Sequence, residues 1–375
     1  MIKNIILFGA SGNIGQQCIE LLKENKDKFN LIALSVGKND SQVESFLHSF
    51  PTLKKIYSTK KLSELEIKYP NIEFYNEDIL KLFSNKDEIV INALSGFFGL
   101  QVTLKSIENN LILLNSNKES FVTAGNLINE MLKKSETKIY PIDSEHCAIF
   151  QCLENENKVN TLFITASGGS FRNLTLQETA NVSLKDALKH PNWDMGKKIT
   201  IDSSTMFNKA FEILEAYHLF KIKNIVTLLH PQSIIHSMVE FEDGSIKAQL
   251  SVPDMKQVIN YFLHYPKRIS YDRQKNLQFN DLINLELKEI DQNRFKPIKF
   301  ALKCIELKNS KSIALNAANE ICVEYFLNEK IQFHQITEIV EIIFEECENI
   351  ELTTYQQILD YDAAIRKKTI SRIGE

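Results

Sequence analysis

Ile5-Ile6-Leu7-Phe8 gives the chain a short continuous apolar run near its start, and helical spacing (Ile14, Cys18, Leu21, Leu22) follows directly. A run of that length without alternation suits a strand covered on both faces, as in a parallel sheet. The same texture returns at Leu31–Leu34, Ile89–Ile91, Leu111–Leu114 and Lys138–Ile142. Such a βαβ series predicts an α/β fold with a Rossmann-like, doubly wound sheet over residues 1–143, its ligands gathering at the carboxyl ends of the strands. From 144 to 264 the pattern changes. Strand-like Leu162–Thr165 and Ile246–Leu250 mix with helices and with a Gly/Pro-punctuated stretch from Ser167 to Lys198. This predicts a central α+β domain carrying one long functional loop. Residues 265–290 are polar and weakly periodic and read as a linker. Residues 291–375, with Ile313, Ala317, Ile321 and Phe326 at helical spacing, predict a C-terminal helical bundle.

Composition narrows the classes. At 375 residues the chain exceeds one small core, and 43% hydrophobic with 25% charged residues fits a globular protein. A net charge of −4 argues against a general nucleic-acid binder. The six cysteines (Cys18, Cys147, Cys152, Cys304, Cys322, Cys347) form no regular framework, so they read as buried free thiols in a reducing compartment. His146-Cys147 with Cys152 lacks the second half of a zinc site. No apolar stretch is long enough to span a bilayer, and a strand starting at Ile5 leaves no room for a signal peptide. The expectation is a cytoplasmic protein without membrane or nucleic-acid partners.

Asp143-Ser144-Glu145 closes the last of the apolar runs, and Asn208, Lys209 and Glu212 come some sixty residues later. Either segment alone reads as a solvated turn or a charged helix face. Together, three carboxylates supply hard oxygen ligands for Mg²⁺ or Mn²⁺, and the Asn/Lys pair can hold phosphate oxygens. Asn208, Lys209 and Glu212 share one helix face, opposite an apolar stripe of Met206, Ala210, Ile213 and Tyr217. Asp202 or one of Ser203-Ser204-Thr205 is expected to cap that helix, over Met206 to Phe220.

Gly9-x-x-Gly12-x-x-Gly15 departs from the strict dinucleotide fingerprint, yet it lies between a strand and a helix. Glycines there let backbone approach a pyrophosphate at a helix N-terminus, so dinucleotide binding is favoured over a plain turn. The second strand ends in Val36-Gly37-Lys38-Asn39, with no acid for a ribose hydroxyl. A lysine there favours the 2′-phosphate of NADP(H), although Lys38 also suits an ordinary surface. Ser167-Gly168-Gly169-Ser170 is either an anion nest or a simple turn. The stretch His190 to Gly196, with the single tryptophan, reads as a satellite hydrophobic cluster or as a flap closing on substrate. His230 reads as a satisfied structural histidine.

These residues together resemble the 1-deoxy-D-xylulose 5-phosphate reductoisomerases over the length of the chain. The resemblance runs through Gly9 to Gly15, Gly37-Lys38-Asn39, Asn117-Lys118-Glu119-Ser120, Asp143 to His146, Ser167-Gly168-Gly169, His190 to Gly196, Asp202-Ser203, Asn208-Lys209, Glu212, His230 to Met238, Pro253-Asp254-Met255 and Leu315 to Glu320. Departures are mild: Ala10-Ser11 stands where Ser-Thr is common, Ala166 where a glycine is found, and Ser170 where a proline is frequent. The resemblance implies an NADPH domain, a central catalytic and dimerising domain with a flap, and a helical C-terminal domain, in a homodimer. It implies rearrangement and reduction of a phosphorylated ketose to 2-C-methyl-D-erythritol 4-phosphate for isoprenoid synthesis. Asp143, Glu145 and Glu212 would then bind Mg²⁺, Mn²⁺ or Co²⁺, with Lys118 catalytic beside them. Ser144 would contact substrate oxygens, and Ser167, Ser203, Asn208 and Lys209 its phosphate. His190, Trp193 and Met195 would form the flap, with His236 in the substrate cavity. Gly9, Ala10, Ser11, Gly12, Asn13, Ile14, Gly37, Lys38, Asn39, Asn117 and Glu119 would bind NADPH.

Two other readings compete. A metal-independent semialdehyde dehydrogenase would need a catalytic cysteine, and Cys147, the nearest candidate, lacks the rest of such a site. A non-catalytic NADP sensor would have no use for three carboxylates. The cofactor reading gives a direct test: Lys38→Ala weakens NADPH far more than NADH, because only NADPH carries the 2′-phosphate. Dissociation constants rising equally for both cofactors would make Lys38 a surface residue.

Overall fold

The structure is a computed structural model that describes residues 2–37, 39–84, 87–154, 156–175, 177–189, 193, 195–271 and 276–374; Lys38 and His190 lie outside the described residues. The chain divides into two compact units.

Unit 1 comprises Met1–Asn117, Glu130–Asp143 and Asp254–Arg273. Its strands are β1 (Lys3–Phe8), β2 (Phe29–Val36), β3 (Lys55–Ser58), β4 (Glu73–Tyr75), β5 (Glu88–Asn92), β6 (Ile112–Asn115) and β7 (Lys138–Pro141). They form one seven-stranded sheet in the order β4-β3-β2-β1-β5-β6-β7, every pairing parallel. Helices α1 (Asn13–Glu24), α2 (Val43–Ser49), α3 (Ser63–Lys68) and α4 (Leu100–Glu108) connect strands, and α10 (Met255–His264) returns later in the chain to pack on α1. The continuous run in β1 has the expected cause: Ile5, Ile6, Leu7 and Phe8 are all fully buried. The chain winds outward from β1 to β4, then reverses to β5. A ligand crevice therefore opens at the carboxyl ends of β1 and β5. Strands β3 and β4 carry too little apolar sequence to be foreseen; parallel pairing beside β2 makes them strands.

Unit 2 comprises Lys118–Asn129, Ser144–Pro253 and Gln274–Glu375. It holds the start of α5 (Lys118–Leu132), then α6 (Ser144–Cys152), α7 (Leu184–Ala187), α8 (Lys197–Thr205) and α9 (Phe207–Phe220). Strands β8 (Val159–Ala166), β9 (Ile225–Leu229), β10 (Ile235–Phe241), β11 (Ile246–Leu250) and β12 (Lys288–Glu289) form a mixed sheet in the order β11-β10-β8-β9-β12. The polar stretch before residue 291 thus contributes an edge strand. Helices α11 (Lys296–Glu306), α12 (Asn309–Leu327), α13 (Phe333–Glu346) and α14 (Tyr355–Ile373) complete the unit, with α11 against α9 and α12 between α13 and α14. All six cysteines are free and buried, as expected.

One local expectation is corrected around α9. No side chain caps it: Met206 takes a left-handed conformation (φ 69°) between α8 and α9, while Asp202, Ser203, Ser204 and Thr205 belong to α8 itself. The hydroxyl run is helical because its side chains bond back to their own helix, Ser204 Oγ donating to the Thr200 carbonyl (3.1 Å) and Thr205 Oγ1 to that of Ile201 (3.0 Å). The polar face of α9 is enclosed: Lys209, Glu212 and Glu215 are buried along with Ala210, Ile213 and Leu214.

Helices α5 and α9 meet closely where α5 departs from helical geometry at Ala124. A Cβ on Gly125 would lie 2.3 Å from the His218 ring, so only glycine allows that approach. Burial, with Lys221 adding to it, pushes the His218 imidazole down to about 3. The unfolded chain takes up this proton near pH 6.5, whereas the folded protein takes it up only near pH 3. Folding stability therefore falls as pH falls through that window. His218→Phe is expected to flatten the loss between pH 6 and 4 by at most about 1.4 kcal/mol per pH unit, read by urea unfolding. Parallel pH profiles for variant and parent would show that the imidazole is not held neutral.

Candidate active site

Lys118 opens α5, Ser144 and Glu145 open α6, and Asn208, Lys209 and Glu212 occupy the first turns of α9. Three helices thus aim polar side chains at one place inside unit 2. The Glu212 carboxylate is at its centre, only 1% exposed. Lys118 Nζ donates to Glu212 Oε1 at 3.2 Å and to Asn208 Oδ1 at 3.0 Å. Lys209 Nζ donates to Glu212 Oε2 and to Glu145 Oε1, the latter at 3.2 Å. Asn208 Nδ2 also donates to Glu212, and Ser144 Oγ to Glu145. With Lys118 and Lys209 themselves 7% and 4% exposed, these are buried ion pairs, for which removing one partner costs about 3–5 kcal/mol.

Asp143, Glu145 and Glu212 each offer a carboxylate oxygen, and these oxygens lie within 4.8 Å of one another. A donor set made only of carboxylates matches a hard divalent cation. Asp143, His146 and Glu215 form a second group of the same spacing. There the imidazole is already engaged: His146 Nε2 donates to the Glu212 backbone carbonyl (2.9 Å), and its Nδ1 faces Glu215 at 3.5 Å. His146 therefore ties α6 to α9 and orients Glu212 through its backbone, and the all-carboxylate group is the better cation site.

Also in unit 2, β8 ends in the Ser167-Gly168-Gly169 turn. Gly168 and Gly169 both have positive φ (82° and 67°), and a Cβ on Gly169 would lie 2.6 Å from the Ser204 Cα. The turn can therefore lie directly on the end of α8, which carries Ser203. Ser204 Oγ lies 3.1 Å from Ser170 Oγ across the same contact. Trp193 is half-buried, its ring centroid 6.1 Å from that of His236, whose Nε2 is 3.0 Å from Ser251 Oγ. Met195 is half-buried nearby in sequence, and His190 is outside the described residues. His230 is structural, as expected: its Nε2 accepts from the backbone N–H groups of Ile234 and Ile235.

In unit 1, Gly9 stands at the end of β1 with φ 85°, and Gly12 precedes α1 in an extended conformation. A Cβ on Gly9 would meet the Ala93 carbonyl oxygen at 2.5 Å, and one on Gly15 the Gly9 oxygen at 2.1 Å. The glycines thus serve close backbone packing and leave the α1 N-terminus, with Asn13 and Ile14, open to an anion. Ser35 Oγ accepts from the Gly9 N–H, and Ser11 Oγ accepts from that of Gly37, which couples the loop holding Ala10 to the end of β2. Asn39 accepts from Ser41. Asn117 is fully buried and donates to the Leu94 and Gly96 carbonyls at 3.0 and 2.8 Å, pinning the loop after β5. Glu119 accepts from Lys198 at 3.2 Å.

Sequence reasoning missed Lys198, Asp202 as an ion-pair member, and the His146–Glu215 pair. Their only signals were spacings of four (Lys198, Asp202) and three (Glu212, Glu215) on helices, which charged surface faces share.

Comparison with known proteins agrees in all parts of the chain. Residues 5–125 match the family model of 1-deoxy-D-xylulose 5-phosphate reductoisomerase, residues 139–220 that of its C-terminal domain, and residues 250–368 a further DXP reductoisomerase C-terminal domain. The 1-deoxy-D-xylulose 5-phosphate reductoisomerase 2 of Bacillus thuringiensis subsp. konkukian is 42% identical, covering 99% of this chain and 100% of its own. The Listeria welshimeri reductoisomerase is 39% identical over 97% of this chain and 98% of its own. Among solved structures, a DOX-P reductoisomerase in complex with NADPH, fosmidomycin and magnesium superposes with a TM-score of 0.93 at 34% identity, covering 99% of this chain and 98% of that one. The Zymomonas mobilis reductoisomerase in complex with NADPH gives 0.90 at 32% identity, with full coverage of both.

Proposed function

The chain belongs to the 1-deoxy-D-xylulose 5-phosphate reductoisomerase family, and on that premise we propose the role of each residue at its site. The enzyme rearranges and reduces 1-deoxy-D-xylulose 5-phosphate to 2-C-methyl-D-erythritol 4-phosphate, using NADPH and a divalent metal ion, in isoprenoid precursor synthesis. Asp143, Glu145 and Glu212 hold the metal, and the observation that carries this reading is the convergence of their oxygens within 4.8 Å. When bound, the cation supplies Lewis-acid stabilisation for charge on the substrate's oxygens, and NADPH supplies the hydride.

The protein's own groups do the rest. Lys118, whose ammonium reaches both Asn208 and Glu212, stands beside the reacting oxygens and donates hydrogen bonds to them. Ser144 orients the same end of the substrate. Ser167, Ser203, Asn208 and Lys209 bind its phosphate, which fixes orientation by proximity and leaves the chemistry to the other end. His190, Trp193 and Met195 cover the substrate, with His236 behind Trp193, and exclude water. Gly9, Ala10, Ser11, Gly12, Asn13 and Ile14 approach the NADPH pyrophosphate. Gly37, Lys38 and Asn39 receive its 2′-phosphate end, and Asn117 and Glu119 shape the nicotinamide side.

Residues 1–143, joined by α10, serve NADPH binding, residues 144–253 catalysis and residues 291–375 as the helical part, while 265–290 connect them and lend β12 to the second sheet. The enzyme works as a homodimer. Edge strand β11, with Ile246 and Leu250 at 53% and 36% exposure, supports pairing with a second copy. Six free thiols support a reducing compartment, the cytoplasm.

Glu212→Gln is expected to lower kcat about a thousandfold, or about 4 kcal/mol of charge stabilisation, and to keep NADPH affinity within about threefold. Stopped NADPH oxidation with deoxyxylulose phosphate, together with cofactor titration, measures both. Near wild-type turnover under limiting Mg²⁺ would remove Glu212 from the metal site.

A further inference from the structure

Lys198 lies in the first turn of α8, between the Trp193–Met195 stretch and the helix end that carries Ser203. Its Nζ is 2.7 Å from Asp202 Oδ2 and 3.2 Å from Glu119 Oε1, and the ammonium sits 5.3 Å above the Phe211 ring. A Lys–Asp pair four apart on a helix is ordinarily a surface pair of little worth. This one differs, because the Asp202 and Glu119 side chains are only 3% and 9% exposed and come from two helices. Asp202 is held from its other side by Asn319 of α12, whose Nδ2 donates to Oδ1 at 2.8 Å. The next residue of α12, Glu320, accepts from Arg366 of α14 at 2.6 Å, and Arg366 also pairs with Asp362. Burial works against the Lys198 ammonium, yet Asp202, Glu119 and Glu320 outweigh it and hold its pKa above the ordinary lysine value. Burial likewise works against the Glu119 carboxylate, and Lys198, a backbone hydrogen bond and Lys118 together outweigh it and hold its pKa below the ordinary value.

We propose that Lys198 is a positioning residue for the reaction: by clamping Glu119 to Asp202 it fixes the adjacent Lys118 and Ser203 relative to each other, with α12 as the anchor. The mechanism of the effect is geometric. Lys118 and Ser203 serve opposite ends of one substrate, so slack between α5 and α8 weakens the grip on both at once. The helices of the C-terminal bundle thereby take part in substrate affinity without touching substrate. The inference rests on the reading of Ser203 as a phosphate ligand.

The test compares KM with kcat. Lys198→Met is expected to raise KM for deoxyxylulose phosphate about tenfold to a hundredfold, and Lys198→Arg to restore it to within about threefold. Because part of the effect of Lys198 passes through Ser203, the double variant Lys198→Met/Ser203→Ala should raise KM by less than the product of the single effects. Asn319→Ser, which frees Asp202 from α12 and keeps both ion pairs, should raise KM about threefold, and it decides the matter should Lys198→Met fail to fold. A KM unchanged in Lys198→Met or Asn319→Ser, with only the melting temperature lowered, overturns the inference, as do multiplicative effects in the double variant. If Ser203→Ala itself leaves KM unchanged, it is the phosphate reading that fails. If Ser203→Ala raises KM and Lys198→Met does not, only the positioning role fails.

Discussion

Two buried ammonium groups, Lys118 and Lys209, meet the carboxylate of Glu212, and the need to compensate that charge organises what surrounds it. Breaking a buried pair costs about 3–5 kcal/mol, against about 0–1 kcal/mol for an exposed one. A helix face carrying Asn208, Lys209 and Glu212 is therefore stable in the interior only if α5 and α6 bring partners to it. They do so with Lys118 from α5 and with Glu145 from α6. The His146 bond to the Glu212 carbonyl adds a backbone tether to the same helix. The result is a set of carboxylate oxygens whose positions are fixed by charge balance, which is what a metal site of narrow geometric tolerance requires.

Backbone conformation does for the proposed phosphate side what charge does for the proposed metal side. Met206 takes a left-handed conformation that separates α8 from α9, so Ser203 lies in the last turn of one helix while Asn208 and Lys209 lie in the first turn of the next. Gly169, with no Cβ, lets the β8 turn lie against that break. Neither device binds anything itself. In the proposed reading both serve to gather hydroxyl, amide and ammonium groups for the substrate's phosphate, and Lys198 ties α8 to α5 and α12.

Much of this was legible in the sequence, for definite physical reasons. Ile5 to Phe8 lies at the centre of a parallel sheet, so burial on both faces wrote an unbroken apolar run. Gly9 and Gly15 are demanded by backbone contacts that no Cβ allows, so they stood out as a motif. The carboxylates of the site were visible because three acids near a lysine and an asparagine are chemically unusual. What was not legible was whatever depends on burial contributed from elsewhere. The burial of the polar face of α9 was not legible, because no local pattern records that α5 and α6 bring side chains to it. Asp202 looked like a helix cap, because its real partner, Asn319, is 117 residues away. Strands β3 and β4 exist by pairing with neighbours and carry little pattern of their own.

Charge compensation at Glu212 would hold Asp143, Glu145 and Glu212 as one divalent-cation site. Anomalous diffraction from crystals grown with Mn²⁺ tests this. A single strong peak per subunit is expected, bonded to an oxygen of each of the three carboxylates, with Lys209 kept in contact with the cluster. A peak bonded instead to Asp143, His146 and Glu215, or one that leaves Glu212 outside its coordination, would contradict it.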